Sequence, residues 1–308
     1  MRLVFSAVVV ASLCAAPVFA QSDHSSKSET IPETPKAGLH LAKGQAKVGG
    51  QAGRRNPNLT YHGGPVRAAT TEIHPIFWGT TWPGSIGDKA DIIKFYQGAS
   101  GSGYLGSNHE YTQTGGAQVS TTLSVFSIAT DYATNSVGGG STSAILTEVC
   151  KVIGSANVKA NGYYPVYVDT KRGNAGYCAW HSAGKCTQSG PTVQFAFFFN
   201  LDGDPGCDPG GALNGHSQGL TAIANVSGHE LSEMLTDPQL NAWYDQQGAE
   251  NSDKCAWTFG TNSIVFTGNN TAWKIQGNWS NAAYTAGQGY LSGGSEQTGC
   301  IDGYSHVQ

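Results

Sequence analysis

GHELSEMLTDP, residues 228–238, sets a histidine and two carboxylates on adjacent turns of what the surrounding sequence marks as a helix. At 100° per residue, Leu220, Ile223, Ala224, Ser227, Leu231 and Leu235 fall on one stripe, which predicts a helix from about Gly219 to Leu235. Ser217 stands where a helix cap belongs, and Pro238 stops the run. His229 and Glu233, four residues apart, share a face roughly opposite the stripe, with Glu230 beside them. This predicts a His/Glu pair turned away from the core.

A hydrolytic zinc site needs about three protein ligands, a position for water and a base to take its proton. His229 and Glu233 supply two ligands, and Glu230 is the base by position. Better-known zinc helices carry a second histidine where this chain has Glu233; a carboxylate there adds negative charge and weakens the metal as a Lewis acid. The third ligand must come from elsewhere. Glu250, in GAENSD (248–253), and His181, on an expected loop in YCAWH (177–181), rank ahead of Asp237 and His216. Asp237 lies two helical turns from His229, about 12 Å along the axis. The competing structural reading makes Glu230 and Glu233 surface carboxylates and His229 a hydrogen-bonded histidine.

Two other chemistries have local support. GHSQG (215–219) fits a nucleophile elbow at Ser217, with Asp253 and His306 following in triad order, but turn-forming residues 202–214 precede it where a strand is required. Asp202, Asp204 and Asp208 form a candidate calcium loop that lacks the closing glutamate of an EF-hand.

Working outward, TVQFAFFFN (192–200), residues 163–169, EIHPIFW (72–78) and residues 121–128 read as strands, with Pro75 marking an edge or bulge. Residues 88–97 and 143–153 read as helices, the second ended by Gly154. The fold class is therefore α/β (α+β mixed): a twisted mixed sheet of four or five strands, packed helices and an irregular, disulfide-linked C-terminal part. Residues 1–20 read as a cleaved signal peptide, 21–58 as a polar, disordered leader, and 59–308 as one catalytic-like domain.

Of the seven cysteines, six lie beyond the signal segment, an even number that predicts three disulfides in an oxidising compartment. Cys178 and Cys186 are close enough to staple a local loop. The formal charge of −4 over 308 residues, 12% of them charged, gives no reason to expect a nucleic-acid partner. No later segment is apolar enough for a membrane span. The expected setting is secreted or extracellular, with the periplasm as the alternative, and the expected partner is an extracellular protein or peptide substrate.

Five segments, Tyr61–Val66, Ile76–Gly79, Cys178–His181, Thr236–Pro238 and Glu250–Cys255, together resemble the Exordium or phosphate-induced protein family of secreted plant proteins and its bacterial relatives. The resemblance implies an extracellular or cell-wall protein without a settled enzymatic activity. It therefore supplies the alternative function, a non-catalytic signalling or binding protein in contact with cell-wall material. Many plant members look degenerate at the positions of His229, Glu230 and Glu233, where this chain is complete, as a bacterial-type member would be. The helix with its His/Glu pair, set under a cleft, resembles a zincin-like layout, which implies a zinc metallopeptidase.

Overall fold

A computed structural model describes residues 30–45, 57–82, 86–126, 128–211, 215–260, 263–290 and 298–303; the signal segment and His306 lie outside them. The first half of the chain runs β1 (Ala37–Leu41), β2 (Thr60–Tyr61), β3 (Thr71–Ile73), β4 (Ile76–Trp78), α1 (Ile86–Ala99), α2 (Gly103–Gly106), β5 (Leu123–Val125), β6 (Ala129–Asp131) and α3 (Thr142–Ile153). It continues through β7 (Gly162–Lys171), β8 (Tyr177–Lys185), β9 (Thr192–Asn200), α4 (Gln218–Thr236), β10 (Trp243–Tyr244) and a 3-10 turn at Asp253–Cys255. Then come β11 (Ile264–Phe266), β12 (Thr271–Trp273), β13 (Asn278–Trp279), α5 (Asn281–Thr285) and β14 (Cys300–Ile301).

Pro75 divides the 72–78 run into β3 and β4, because it has no N–H to continue a ladder. Its carbonyl still accepts from the Ala129 N–H at 3.0 Å, and each half pairs in parallel with a different stretch of β7. The main sheet has eight strands rather than four or five. Its spine is β1-β8-β9-β7-β3-β5; β8 and β1 are antiparallel additions beyond the parallel pair β7 and β9.

Burial on both faces explains the apolar run of β9. α3 packs on one face of β7, β8 and β9, while α4 lies on β8, β9 and β1 with α1 beside it. The expected helices and core strands therefore form, within a few residues of their expected ends. The sequence reading passes over β8, where small residues alternate: Ala179 and Ala183 flank His181 on its face, so no hydrophobic period announces a strand.

Two further expectations are corrected. The segment 21–58 is not disordered throughout, since 30–45 is described and contains β1, paired antiparallel with β8. Its inward positions are Gly38, His40 and Ala42, which carry little apolar signal for composition to register. The disulfides are Cys150–Cys186, Cys178–Cys207 and Cys255–Cys300, so Cys178 and Cys186 do not staple one loop. They lie in or just beyond β8 and bond outward to α3 and to the loop after β9. Three disulfides fit a secreted protein. No helix among the described residues is long and apolar enough to cross a membrane.

Candidate metal centre

Ser217 caps α4 by accepting from the Leu220 N–H at 3.1 Å, and Asp237 closes it, its Oδ1 accepting from the Asn241 and Ala242 N–H groups at 2.6 and 2.7 Å. Between these caps every residue from Gly219 to Thr236 is buried, so His229 and Glu233 do not face solvent as the stripe suggests. A helix surrounded on all sides has no polar face. The side expected to be open is closed by β1 and by residues 250–253 and 276.

Four candidate ligands from three elements meet there. His229 Nε2 lies 3.1 Å from Glu233 Oε2; His181 Nε2 lies 3.8 Å from that same oxygen and 3.0 Å from Glu250 Oε2. His181 belongs to β8 rather than to a loop, which places it directly under α4. The potential ligand atoms of His181, Glu230 and Glu233 lie within 4.8 Å of one another, as do those of His229, Glu233 and Asp253. Glu233 is common to both groups.

Asp253 was legible only as a member of the serine triad. It sits 3.8 Å from His229 Nε2, its N–H donates to Glu233 Oε1 at 2.8 Å, and its Oδ2 accepts from the Glu250 N–H at 3.2 Å. The disulfide from Cys255 to Cys300 anchors the turn that presents it. The acid pair at positions i and i+3 of ENSD was the available signal.

Burial pushes the Glu230 carboxyl well above its usual range, and the neighbouring charges of Glu233, Asp253 and Glu250 push it further. Burial likewise raises Glu250, with Glu233, Asp237 and Asp253 adding to it. Burial lowers His181, against the opposing pull of Glu233, Asp237 and Asp253. Neither oxygen of Glu230, nor Oε1 of Glu250, makes a well-formed hydrogen bond among the described residues, and neither residue has a Lys or Arg partner there. Isolated buried carboxylates are costly, and a cation or protons must balance them. Two imidazoles together with the carboxylates of Glu230, Glu233, Glu250 and Asp253 fit a divalent ion that accepts nitrogen and oxygen ligands, zinc among them.

Gln276 organises the far side of His229. Its Nε2 donates to Ser252 O at 2.8 Å and faces His229 Nδ1 at 3.0 Å, while its Oε1 lies 3.0 Å from His40 Nε2. In this arrangement Nδ1 of His229 accepts, and the ring proton sits on Nε2 toward Glu233. Nε2 is freed for a metal only when the proton moves to Nδ1. Neither Gln276 nor His40, whose ring centroid is 4.6 Å from that of His229, was singled out by sequence.

The remaining candidates are not in the ligand groups. His216 stacks on Trp273, and Asp237 is occupied as the α4 cap. Asp204 holds Arg172 through both carboxylate oxygens, at 2.6 and 2.9 Å, and Asp208 Oδ1 accepts from the Gly210 N–H; the Asp202, Asp204 and Asp208 set is not among the groups able to hold an ion. Ser217 is a cap, and among the described residues no strand runs directly into it. A small pocket, partly open to solvent, lies by the start of α4 among Trp82, Asp169, Asp202 and Leu220, and includes none of the cluster.

Comparison of the chain with protein-family models, with curated proteins and with solved structures finds no match in any of the three.

Proposed function

We propose that the chain is a secreted metal-dependent hydrolase, most simply a zinc metallopeptidase, with His229, Glu233, His181 and Glu250 as the ligand set and Glu230 as general base. Asp253 is added to that set as a further carboxylate at the His229 side. One observation carries the reading: two histidines from β8 and α4 converge, with Glu233 shared between them, in a buried cluster whose carboxylates lack cationic side chains at Glu230 and Glu250.

When bound, the metal supplies Lewis-acid polarisation of the reacting oxygen and neutralises the cluster. The protein's own groups do the rest. Glu230 takes one proton from water as the water oxygen bonds to the substrate carbonyl carbon. It then returns that proton to the amide nitrogen as the C–N bond breaks, giving a carboxylic acid and an amine, and the second water proton passes from the acid to the amine to leave a carboxylate and an ammonium. His181 and Glu250 are held by separate elements, a strand and a disulfide-anchored turn, which fixes their separation before substrate arrives.

The segments Cys178–His181, Thr236–Pro238 and Glu250–Cys255, which carry the resemblance to the Exordium family, lie at or beside this cluster. That supports reading the chain as a bacterial-type branch with a complete site. The alternative, a non-catalytic extracellular protein with a structural ion, is favoured by one observation, the closure of the cluster by β1.

Zinc content and hydrolysis of casein by purified wild type and Glu230→Gln separate the readings. The hydrolase reading expects about one zinc per chain in both proteins and a loss of about 10²–10⁴-fold in rate in the variant. Equal rates would remove Glu230 from the chemistry, and zinc-free wild type after mild purification would remove the metal.

A further inference from the structure

We propose that β1 lies in the groove through which this centre takes its substrate: the substrate is an extended polypeptide laid antiparallel along β8, and residues 37–41 hold the centre closed. The inference rests on the hydrolase reading and adds to it the direction of the substrate and a built-in occupant.

β1 is the outermost strand of the sheet and pairs with β8, the strand that carries His181; Ala37 stands opposite His181 itself. Between Ala37 and Leu41 the register shifts twice, so the regular ladder breaks directly above the centre. At the break Gly38 takes a φ of 54°, and a Cβ built there would overlap Glu233 Oε2 and the His181 ring. Only glycine lets the backbone come so close. A peptide group of this chain thus lies against Glu233 and His181, where an extended substrate would present its own.

The strand is not held as a core strand is. Gly38, His40 and Ala42 face inward and bury little apolar surface. The attachments are polar: His40 Nε2, mid-strand, lies 3.0 Å from Gln276 Oε1 and 3.2 Å from Asn225 Nδ2, and the others lie toward the two ends. Glu33 takes hydrogen bonds from Thr142 and Ser143, Thr34 Oγ1 lies 2.7 Å from Ser182 Oγ, Trp257 Nε1 donates to Leu41 O at 2.9 Å, and the Lys43 N–H donates to Gly206 O at 2.7 Å. Backbone pairing with side-chain anchors at the ends is how a sheet edge binds a peptide in place of a strand. Because the segment is tethered, it competes at an effective concentration that a free substrate must exceed.

The test uses the full chain with one engineered protease site placed within residues 46–56 and cut after folding. Zinc loss to a chelator, cleavage of a fluorogenic peptide and amide exchange at Ala179–Ser182 are followed before and after the cut. Removing the tether is expected to speed zinc loss and hydrolysis at least about tenfold. A synthetic peptide of residues 31–45 should reverse both changes, and the same peptide with Gly38→Leu should not. Unchanged zinc loss, hydrolysis and exchange after the cut would overturn the proposal, whether or not the leader fragment leaves. Faster zinc loss that the peptide reverses, with no hydrolysis by any form, would keep the occupied groove and remove the hydrolase. If no form takes up zinc, the metal reading fails. Exchange at Ala179–Ser182 then decides the strand: reversal by the peptide supports it, and no response overturns it.

Discussion

His181 Nε2 and Glu250 Oε2 lie 3.0 Å apart although 69 residues separate them in the chain. One sits on β8, the strand next to the sheet edge, and the other beside a disulfide-anchored turn, so this contact helps join the sheet to the C-terminal part. Both side chains are buried. As ligands of one ion, they would be lost together. His181→Ala and Glu250→Ala are each expected to weaken zinc binding by more than the 10–100-fold typical of a supporting residue. Titration against a chromophoric chelator measures this. An affinity within threefold of wild type in His181→Ala would place the ion elsewhere.

Gln276 offers a test whose sign is informative. As placed, its NH₂ faces Nδ1 of His229 and holds the ring proton on Nε2, the atom a metal needs. Gln276→Glu presents a carboxylate that accepts from Nδ1–H, fixes the other tautomer and makes Nε2 the better donor. Zinc affinity should rise, by about tenfold on the scale of such supporting partners. A fall would show that His229 is not bound through Nε2.

Glu33 ties the start of the β1 segment to the N-terminal turn of α3. Hydrogen bonds from the hydroxyls of Ser141, Thr142 and Ser143 pull its pKa down from 4.5 to about 2. The folded value lies below the unfolded one, so the attachment is fully present above about pH 4.5 and is lost as pH falls toward 2. Amide exchange over residues 34–41, corrected for intrinsic rates, should therefore accelerate between pH 5 and 3 in wild type. In Glu33→Gln that change should be largely absent. An unaltered pH response in the variant would assign it to another group.

The Cys178–Cys207 disulfide fastens the strand that presents His181 to the loop after β9. Replacing both cysteines by alanine opens a loop of 29 residues and should cost about 3–4 kcal/mol of unfolding free energy by the chain-entropy estimate. Denaturant unfolding gives the value. A loss under about 1 kcal/mol would mean that the hairpin of β8 and β9 is held by its own pairing and packing.

Much of this architecture was legible along the chain. The 3.6-residue stripe located α4, Gly154 marked the end of α3, the unbroken apolar run located β9, and Ser217 and Pro238 bracketed the site helix. These signals are local, since caps and periodicity act within a few residues. His181 could be proposed as a ligand but was placed on a loop, because small neighbours on its strand erase the pattern that marks β8. β1 was hidden for a related reason. Its inward residues suit close approach to a polar centre rather than burial of apolar surface, so its composition looks like that of a linker.

The sequence by itself determined which residues have the chemistry for a metal grip: His229, Glu230 and Glu233 at helical spacing, with His181 and Glu250 as outside partners. Only the tertiary structure decided that all five come together with Asp253, that they are buried, and that β1 closes over them. Helical spacing can say which side chains share a face. It cannot say what covers that face, because the cover comes from strands and turns far away in the chain whose pairing depends on the assembled sheet.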